Sequence, residues 1–401
     1  MMEQPADSLP PDTPSPDATR RAMWQWVGSM VGFVVASAIL GGILFKVPYV
    51  ALVPGSARDT EPLLQVEGIE AFPSEGELLL TTVRVRQRPN LWEYLWLQTD
   101  KDAEIVPEEV ILGGRSPEEN REFNLQLMTD SKSVAIAVAL EELGYDAIQT
   151  DGVIIAELVP GAAAETALSL GDTVVGIDGE PVQSSGDLVE VLGRYEPGDE
   201  ITLLVERFDP ANPMGHAEDE DVLDESGQVP TDPAERYPNA ETVSVELGAK
   251  PDDAQAAFLG VGPSDRVTFN NDFDFVVDID SGAVGGPSAG LAFTLAVLDE
   301  LTEGELTGGA TVAVTGTIDP TGRVGPVGGV AQKTAAVRDL GADVFLVPAG
   351  LPPAEIERVM ERAGSDLEVI PVEDLGDALE ALAGLGGEVA AVEEFAASNL
   401  S

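Results

Sequence analysis

The sequence predicts an α+β protein of several domains tethered behind one N-terminal transmembrane helix. Three observations predict it: an uncharged run from Ala22 to Phe45, short alternating apolar and polar runs punctuated by Gly and Pro through the middle, and regular alternation of strand-like and helix-like runs after about Pro251. At 401 residues the chain is long enough for roughly two or three domains, each with its own core.

Composition removes several function classes. With 21 Lys+Arg against 72 Asp+Glu the formal net charge is -51, which repels nucleic-acid phosphates, so no nucleic-acid partner is expected. Acid-rich, lysine-poor surfaces also keep proteins hydrated in high salt, and that explanation of the charge stays open. The absence of cysteine excludes disulfides, thiolate metal sites and a thiol nucleophile. His216 is the single histidine and lies in an acidic, proline-broken stretch, so a Ser-His-Asp triad and a multi-histidine metal site are both nearly excluded. Any hydrolase here needs another base. Lysines occur only at 46, 101, 132, 250 and 333, which makes each position informative.

Residues 1–21, rich in Pro, Asp and Ser, are expected as a disordered cytoplasmic tail. Residues 22–45 follow as a transmembrane helix. At about 1.5 Å per residue the run crosses a hydrocarbon core of roughly 30 Å with some tilt, and Trp24 and Trp26 sit where interfacial anchors do. The run exceeds the h-region of a cleaved signal and its leading tail is acidic, which favours an uncleaved signal anchor over a removed one or a buried core helix. Arg20 and Arg21 outnumber Lys46, placing the N-terminus in the cytoplasm and the bulk of the chain beyond the cell membrane.

Residues 48–143 read as a β-rich region, with an alternating run at Glu77–Arg86, ending in a helix over Ser131–Leu143. No catalytic signal stands there. Residues 144–250 supply a strand Gly152–Val159, a Pro160-Gly161 turn, a strand Thr173–Ile177, an Asp178-Gly179 hairpin turn, a helix Ser184–Tyr195 and strands Ile201–Arg207 and Glu241–Leu247. Residues 209–240, with five prolines and the run Glu218-Asp219-Glu220-Asp221, read as a solvated, disordered acidic insertion, since the glycine spacing of a calcium loop is missing. The stretch GVIIAELVPGAAAETALSLGDTVVGIDGEPV resembles the PDZ domains attached to bacterial envelope proteases. That resemblance implies peptide binding beside the first strand, at Gly152, Val153, Ile154 and Ile155, with side chains against the Ser184–Tyr195 helix. The alternative is a β-rich block that only packs against its neighbours.

Residues 251–387 alternate strands at Phe275–Ile279, Thr311–Thr317, Val344–Val347 and Leu367–Val372 with helices at Ala289–Leu301, Val330–Leu340, Pro353–Ala363 and Asp374–Ala383, and residues 388–401 remain as a C-terminal tail. Two of the helices start after glycine-rich turns, GGPSAG at 285–290 and GRVGPVGGVAQK at 322–333. A serine hydroxyl needs a base, and a lysine amine serves once burial has brought its pKa toward neutrality. Lys333 has Val330, Ala331, Ala335, Ala336 and Val337 around it and no adjacent carboxylate. Ser288, at a helix start, has unpaired backbone N–H groups for a developing oxyanion, and Gly285 and Gly286 let a substrate backbone come close. Taken singly, Ser288 is an ordinary helix-start residue and Lys333 an ordinary surface lysine.

Together, GPSAG and GxVxPVGGxxxK some forty-five residues apart, with Thr315-Gly316 between them, resemble the proteolytic domain of Lon-type proteases. The resemblance implies a Lon-type proteolytic α/β domain in which Ser288 is the nucleophile, Lys333 the general base, Thr315 an aid in placing the lysine and Gly286 part of the supporting turn. No cofactor and no metal are expected. The sequence departs from ATP-dependent Lon in having Gly285 where the motif carries aspartate, and it contains no GxxxxGK[ST] run. The chain as a whole resembles the PDZ-containing Lon-like membrane proteases of bacteria: an ATP-independent, single-pass, extracytoplasmic serine endopeptidase acting on unfolded or flexible polypeptides, with a homo-oligomer expected by analogy. Two rivals remain. One is an inactive PDZ scaffold, given Gly285. The other is a Ser-Lys signal-peptidase-like enzyme, disfavoured because Ser288 lies far along the chain from the span.

Overall fold

A computed structural model describes residues 16–208, 230, 232–251, 253–270 and 272–399. Residues 1–15, most of the acidic stretch 209–240 and His216 lie outside the described residues, as do 400–401. An N-terminal helix covers Pro16–Leu44, and within it Trp24–Leu44 has mean hydropathy 2.1 and is almost wholly exposed, long and apolar enough to cross a membrane. Only four residues separate it from the first strand, Tyr49–Asp59.

A six-stranded sheet carries the fold, in the order Glu368–Val372, Val344–Pro348, Thr311–Val314, Glu77–Gln87, Tyr49–Asp59 and Glu104–Pro107. The first four strands run parallel and the last two join antiparallel. The sequence divides this body between 48–143 and 251–387, yet Leu78, Leu79 and Leu80 pair directly with Val312, Ala313 and Val314. Both segments therefore belong to one sheet.

The apolar runs in these strands are continuous because both faces of the sheet are covered. On one face Leu78, Leu80, Val312, Val314, Val344 and Leu346 pack on the serine helix, Gly290–Leu301, and on the long helix, Pro117–Glu142. On the other, Leu79, Ala313, Phe345 and Val347 pack on the amine helix, Val330–Leu340, and on Pro353–Ala363. Phe293 of the serine helix is wholly buried, a burial that stabilises by roughly 2–3 kcal/mol. The long helix begins fourteen residues before Ser131, at Pro117, because Ser116 and Glu119 form a reciprocal capping box ahead of it. Residues 388–401 are not a bare tail: Ala390–Asn399 is helical, buries Val392, and donates from Asn399 Nδ2 to the Leu143 carbonyl at 2.8 Å.

A second sheet, in the order Val261–Phe269, Ile148–Leu158, Thr173–Ile177, Glu200–Glu206 and Glu241–Glu246, has its own core of Val153, Ile155, Ile177, Leu188, Ile201 and Leu203. A helix, Ser185–Leu192, packs on it, held at its start by a Ser184–Asp187 capping box. Along the chain its first strand, Ile148–Leu158, and its last, Val261–Phe269, are paired at Ile148 and Phe269, and the Asn270 N–H donates to the Ala147 carbonyl at 3.0 Å. This unit is thus inserted between the long helix and the loop that carries Ser288, entering and leaving at one place.

Candidate active site

Ser288 and Lys333 come from opposite layers. The serine precedes the helix on one face of the sheet and the lysine lies in the helix on the other. They meet beyond the C-terminal end of the Thr311–Val314 strand, where the next residue is Thr315. The Lys333 Nζ lies 2.9 Å from Ser288 Oγ and 2.8 Å from Thr315 Oγ1.

The local sequence explains the meeting. Gly329 enters the amine helix in the left-handed region, φ 68°, and a Cβ there would stand 2.8 Å from Val83 Cγ1, so glycine alone fits. Val330, Ala331, Ala335 and Val337 bury the inner face, which carries Lys333 inward with them to 1% exposure. No salt bridge among the described residues involves Lys333, and burial alone lowers its pKa from 10.5 to about 7. The Thr315 hydroxyl donates to the Ser288 carbonyl at 3.2 Å, so toward Lys333 it accepts. An uncharged amine held this way gives one N–H to Thr315 and turns its lone pair to the Ser288 hydroxyl.

The serine loop is fixed by the long helix, which sequence reasoning did not connect to the site. The Asn124 carbonyl accepts the Gly286 N–H at 2.7 Å, Ser131 Oγ donates to the Pro287 carbonyl at 3.1 Å, and Lys132 Nζ donates to the Ile279 carbonyl at 2.8 Å. The rarity of lysine was the available signal for Lys132. Gly286, φ 89°, is buried, and a Cβ on Gly285 would approach Asn124 Cβ to 3.2 Å. Asn124 of the chain itself thus lies close against both glycines, while Gly285 stays exposed. The N–H groups of Ser288 and Ala289 meet no acceptor among the described residues.

The edge expected beside Gly152, Val153, Ile154 and Ile155 is taken. Val153 and Ile154 pair with Val174 and Thr173 on one side and with Asp265 and Ser264 on the other, and Ile155 faces Pro263. An interior strand has no main-chain groups to offer a peptide. Gly152, φ 115°, is there because a Cβ would stand 2.9 Å from Thr173 Cγ2. The rim strand is Val261–Phe269, joined to the start of the Ser185–Leu192 helix where the Ser185 N–H donates to Asp265 Oδ1 at 2.5 Å. No group of three or more acidic or histidine side chains fit to hold a metal occurs among the described residues.

Residues 261–384 match the profile of the Lon protease (S16) C-terminal proteolytic domain, and residues 128–215 that of the PDZ domain. Lon protease 1 of Thermus thermophilus is 34% identical over 116 residues, 28% of this chain and 14% of that protein. The Lon protease of Vibrio parahaemolyticus is 34% identical over 123 residues, 29% of this chain and 15% of that protein. The chain thus spans about one seventh of the length of these relatives. The solved PDZ domain of the SdrC-like protein of Listeria monocytogenes is 17% identical and covers 28% of this chain and 87% of its own, with a TM-score of 0.20. The chain is a mixed α/β protein with an N-terminal apolar helix, a PDZ domain and a C-terminal Lon-type proteolytic domain. The matched spans and the folded units differ at their edges. The Val261–Phe269 strand pairs into the PDZ sheet, and residues 128–142 of the long helix pack on the serine helix.

Proposed function

We propose that the chain is a membrane-anchored, ATP-independent serine endopeptidase in which Ser288 and Lys333 form the catalytic dyad. The observation that carries this reading is the 2.9 Å contact between a buried amine, without a counter-ion among the described residues, and a half-buried hydroxyl. In the proposed step Ser288 Oγ bonds to the peptide carbonyl carbon as its proton passes to Lys333 Nζ. The ammonium then protonates the leaving amine nitrogen as the C–N bond breaks, and a water repeats the sequence on the acyl-enzyme. The unmatched N–H groups of Ser288 and Ala289 would receive the oxyanion. Thr315 keeps the amine aimed. In this reading the PDZ unit captures unfolded or flexible polypeptides at the Val261–Phe269 rim, which raises their local concentration.

The test is hydrolysis of an unfolded protein by the purified full chain and by Ser288→Ala. Loss of cleavage in the variant is expected. Cleavage that persists would show that the nucleophile is elsewhere, and an inert wild-type chain at every salt concentration would favour the peptide-binding scaffold.

A further inference from the structure

We propose that the short tryptophan helix Leu91–Leu97 and the arginines just before it form a docking surface for an anionic lipid bilayer, so that the proteolytic body lies against the membrane that the N-terminal helix enters. This rests on reading Pro16–Leu44 as a membrane anchor.

All four tryptophans of the chain lie in these two helices: Trp24 and Trp26 in one, Trp92 and Trp96 in the other. Trp92, Leu95 and Trp96 are 44%, 45% and 60% exposed, so the helix presents large apolar groups outward while Leu97 alone is buried beneath it. It is also bound to the anchor. Trp92 Nε1 donates to the Ile39 carbonyl at 3.1 Å, and its ring fills the space that a side chain at Gly42 would occupy. Ile39 lies five residues inside the end of the apolar helix, a depth of about 7–8 Å at 1.5 Å per residue, which is the depth interfacial helices reach. A bilayer around the anchor therefore meets Trp92 and its neighbours at its headgroup boundary.

Charge favours the same partner. In a chain of net charge -51, the segment Arg84-Val85-Arg86-Gln87-Arg88 is locally basic and leads directly into this helix. Strand alternation puts Arg84 and Arg86 on one face, both exposed, and neither makes an ion pair among the described residues; nor does Lys46, bridged to Asn90 at the helix cap. Four of the nearby acids are engaged: Glu93 caps Asn90, Glu108 pairs Arg88, Asp102 pairs Arg338 and Arg362, and Glu104 pairs Arg358, while Glu109 stays exposed. Uncommitted cations beside exposed tryptophans fit anionic headgroups above an acyl boundary. Arg88 lies five positions, roughly 17 Å of extended chain, from Val83, which underlies Gly329 at the entrance to the amine helix. Docking here holds the dyad within reach of segments that emerge from the bilayer.

The test uses the full chain with Trp24→Phe and Trp26→Phe, leaving Trp92 and Trp96 as reporters, in phosphatidylcholine vesicles with and without phosphatidylglycerol. Expected are co-flotation, blue-shifted emission, and stronger quenching by lipids brominated near the headgroup than by aqueous iodide. Arg84→Gln with Arg86→Gln should weaken the phosphatidylglycerol-dependent part of the quenching, by roughly fivefold in apparent affinity per cation. Co-flotation with iodide-accessible, lipid-unquenched tryptophans would overturn the docking while sparing the anchor. A chain that fails to float would overturn the anchor reading and this one with it. Quenching indifferent to both lipid charge and the arginine changes would overturn the anionic assignment.

Discussion

Replacing Lys333 with Met should abolish peptidase activity and, near neutral pH, make the protein more stable. The amine is 1% exposed, and burial brings its pKa from 10.5 to about 7. Between those two pH values the unfolded chain binds more protons than the folded one, so folding stability rises with pH across the window and is flat below it. The slope from this group is at most ~1.4 kcal/mol per pH unit. Methionine fills the same volume without an ionisable group and so removes a destabilisation of a few kcal/mol at pH 7. Against this stand two lost hydrogen bonds, to Ser288 and Thr315, of about 1 kcal/mol each. A net gain of roughly 2 kcal/mol, or about 4–8 °C in melting temperature, is expected at pH 7. It should shrink as pH rises and turn into a small loss near pH 10. Scanning fluorimetry of the full chain at several pH values, beside a peptidase assay falling by about 10³-fold, measures both effects. A variant equally shifted at every pH would show that Lys333 is not held uncharged, and the proposed mechanism would lose its base.

Wild-type kcat should rise with pH through about 7, as the Lys333 amine loses its proton, and Thr315→Val should lower kcat by roughly 10–100-fold while leaving KM near its original value, because only the aim of that amine is lost. Asp299, buried in the last turn of the serine helix, has its pKa raised by burial to about 6, so it costs stability progressively above pH 4; Asp299→Asn should raise the melting temperature at pH 7.5 and leave it unchanged at pH 3.5. Gly329→Ala should destabilise by about 1–3 kcal/mol and reduce activity, seen as a lower denaturation midpoint and a lower kcat. Gly152→Ala should destabilise the PDZ unit, seen as a lower melting temperature, yet leave peptide affinity intact when measured by fluorescence anisotropy below that melt.

The site was legible where its signals are local. Gly285 to Gly290 and Gly322 to Lys333 each encode a turn, a helix start and an inward residue within a dozen positions, and the amine helix runs over the expected Val330–Leu340. Strand pairing is not local. Nothing in Glu77–Gln87 names Thr311–Val314 as its neighbour, although its unbroken Leu78-Leu79-Leu80 run carries the mark of a strand covered on both faces. The first half of the long helix stayed hidden because its residues are mostly polar and only Met128 is buried before Ser131. The rim strand Val261–Phe269 hid behind Gly262 and Pro263, which read as loop and left Ile148–Leu158 looking like the edge.

The shared sheet has a temporal consequence. Thr81 Oγ1 donates to the carbonyl of Val314, 233 positions later, so the Glu77–Gln87 strand must wait for most of the chain before its pairing is complete. Such distant closure is slow and comes late in synthesis. Ser288 and Lys333 are brought together only by that closure, so their 2.9 Å contact forms after most of the chain has been made.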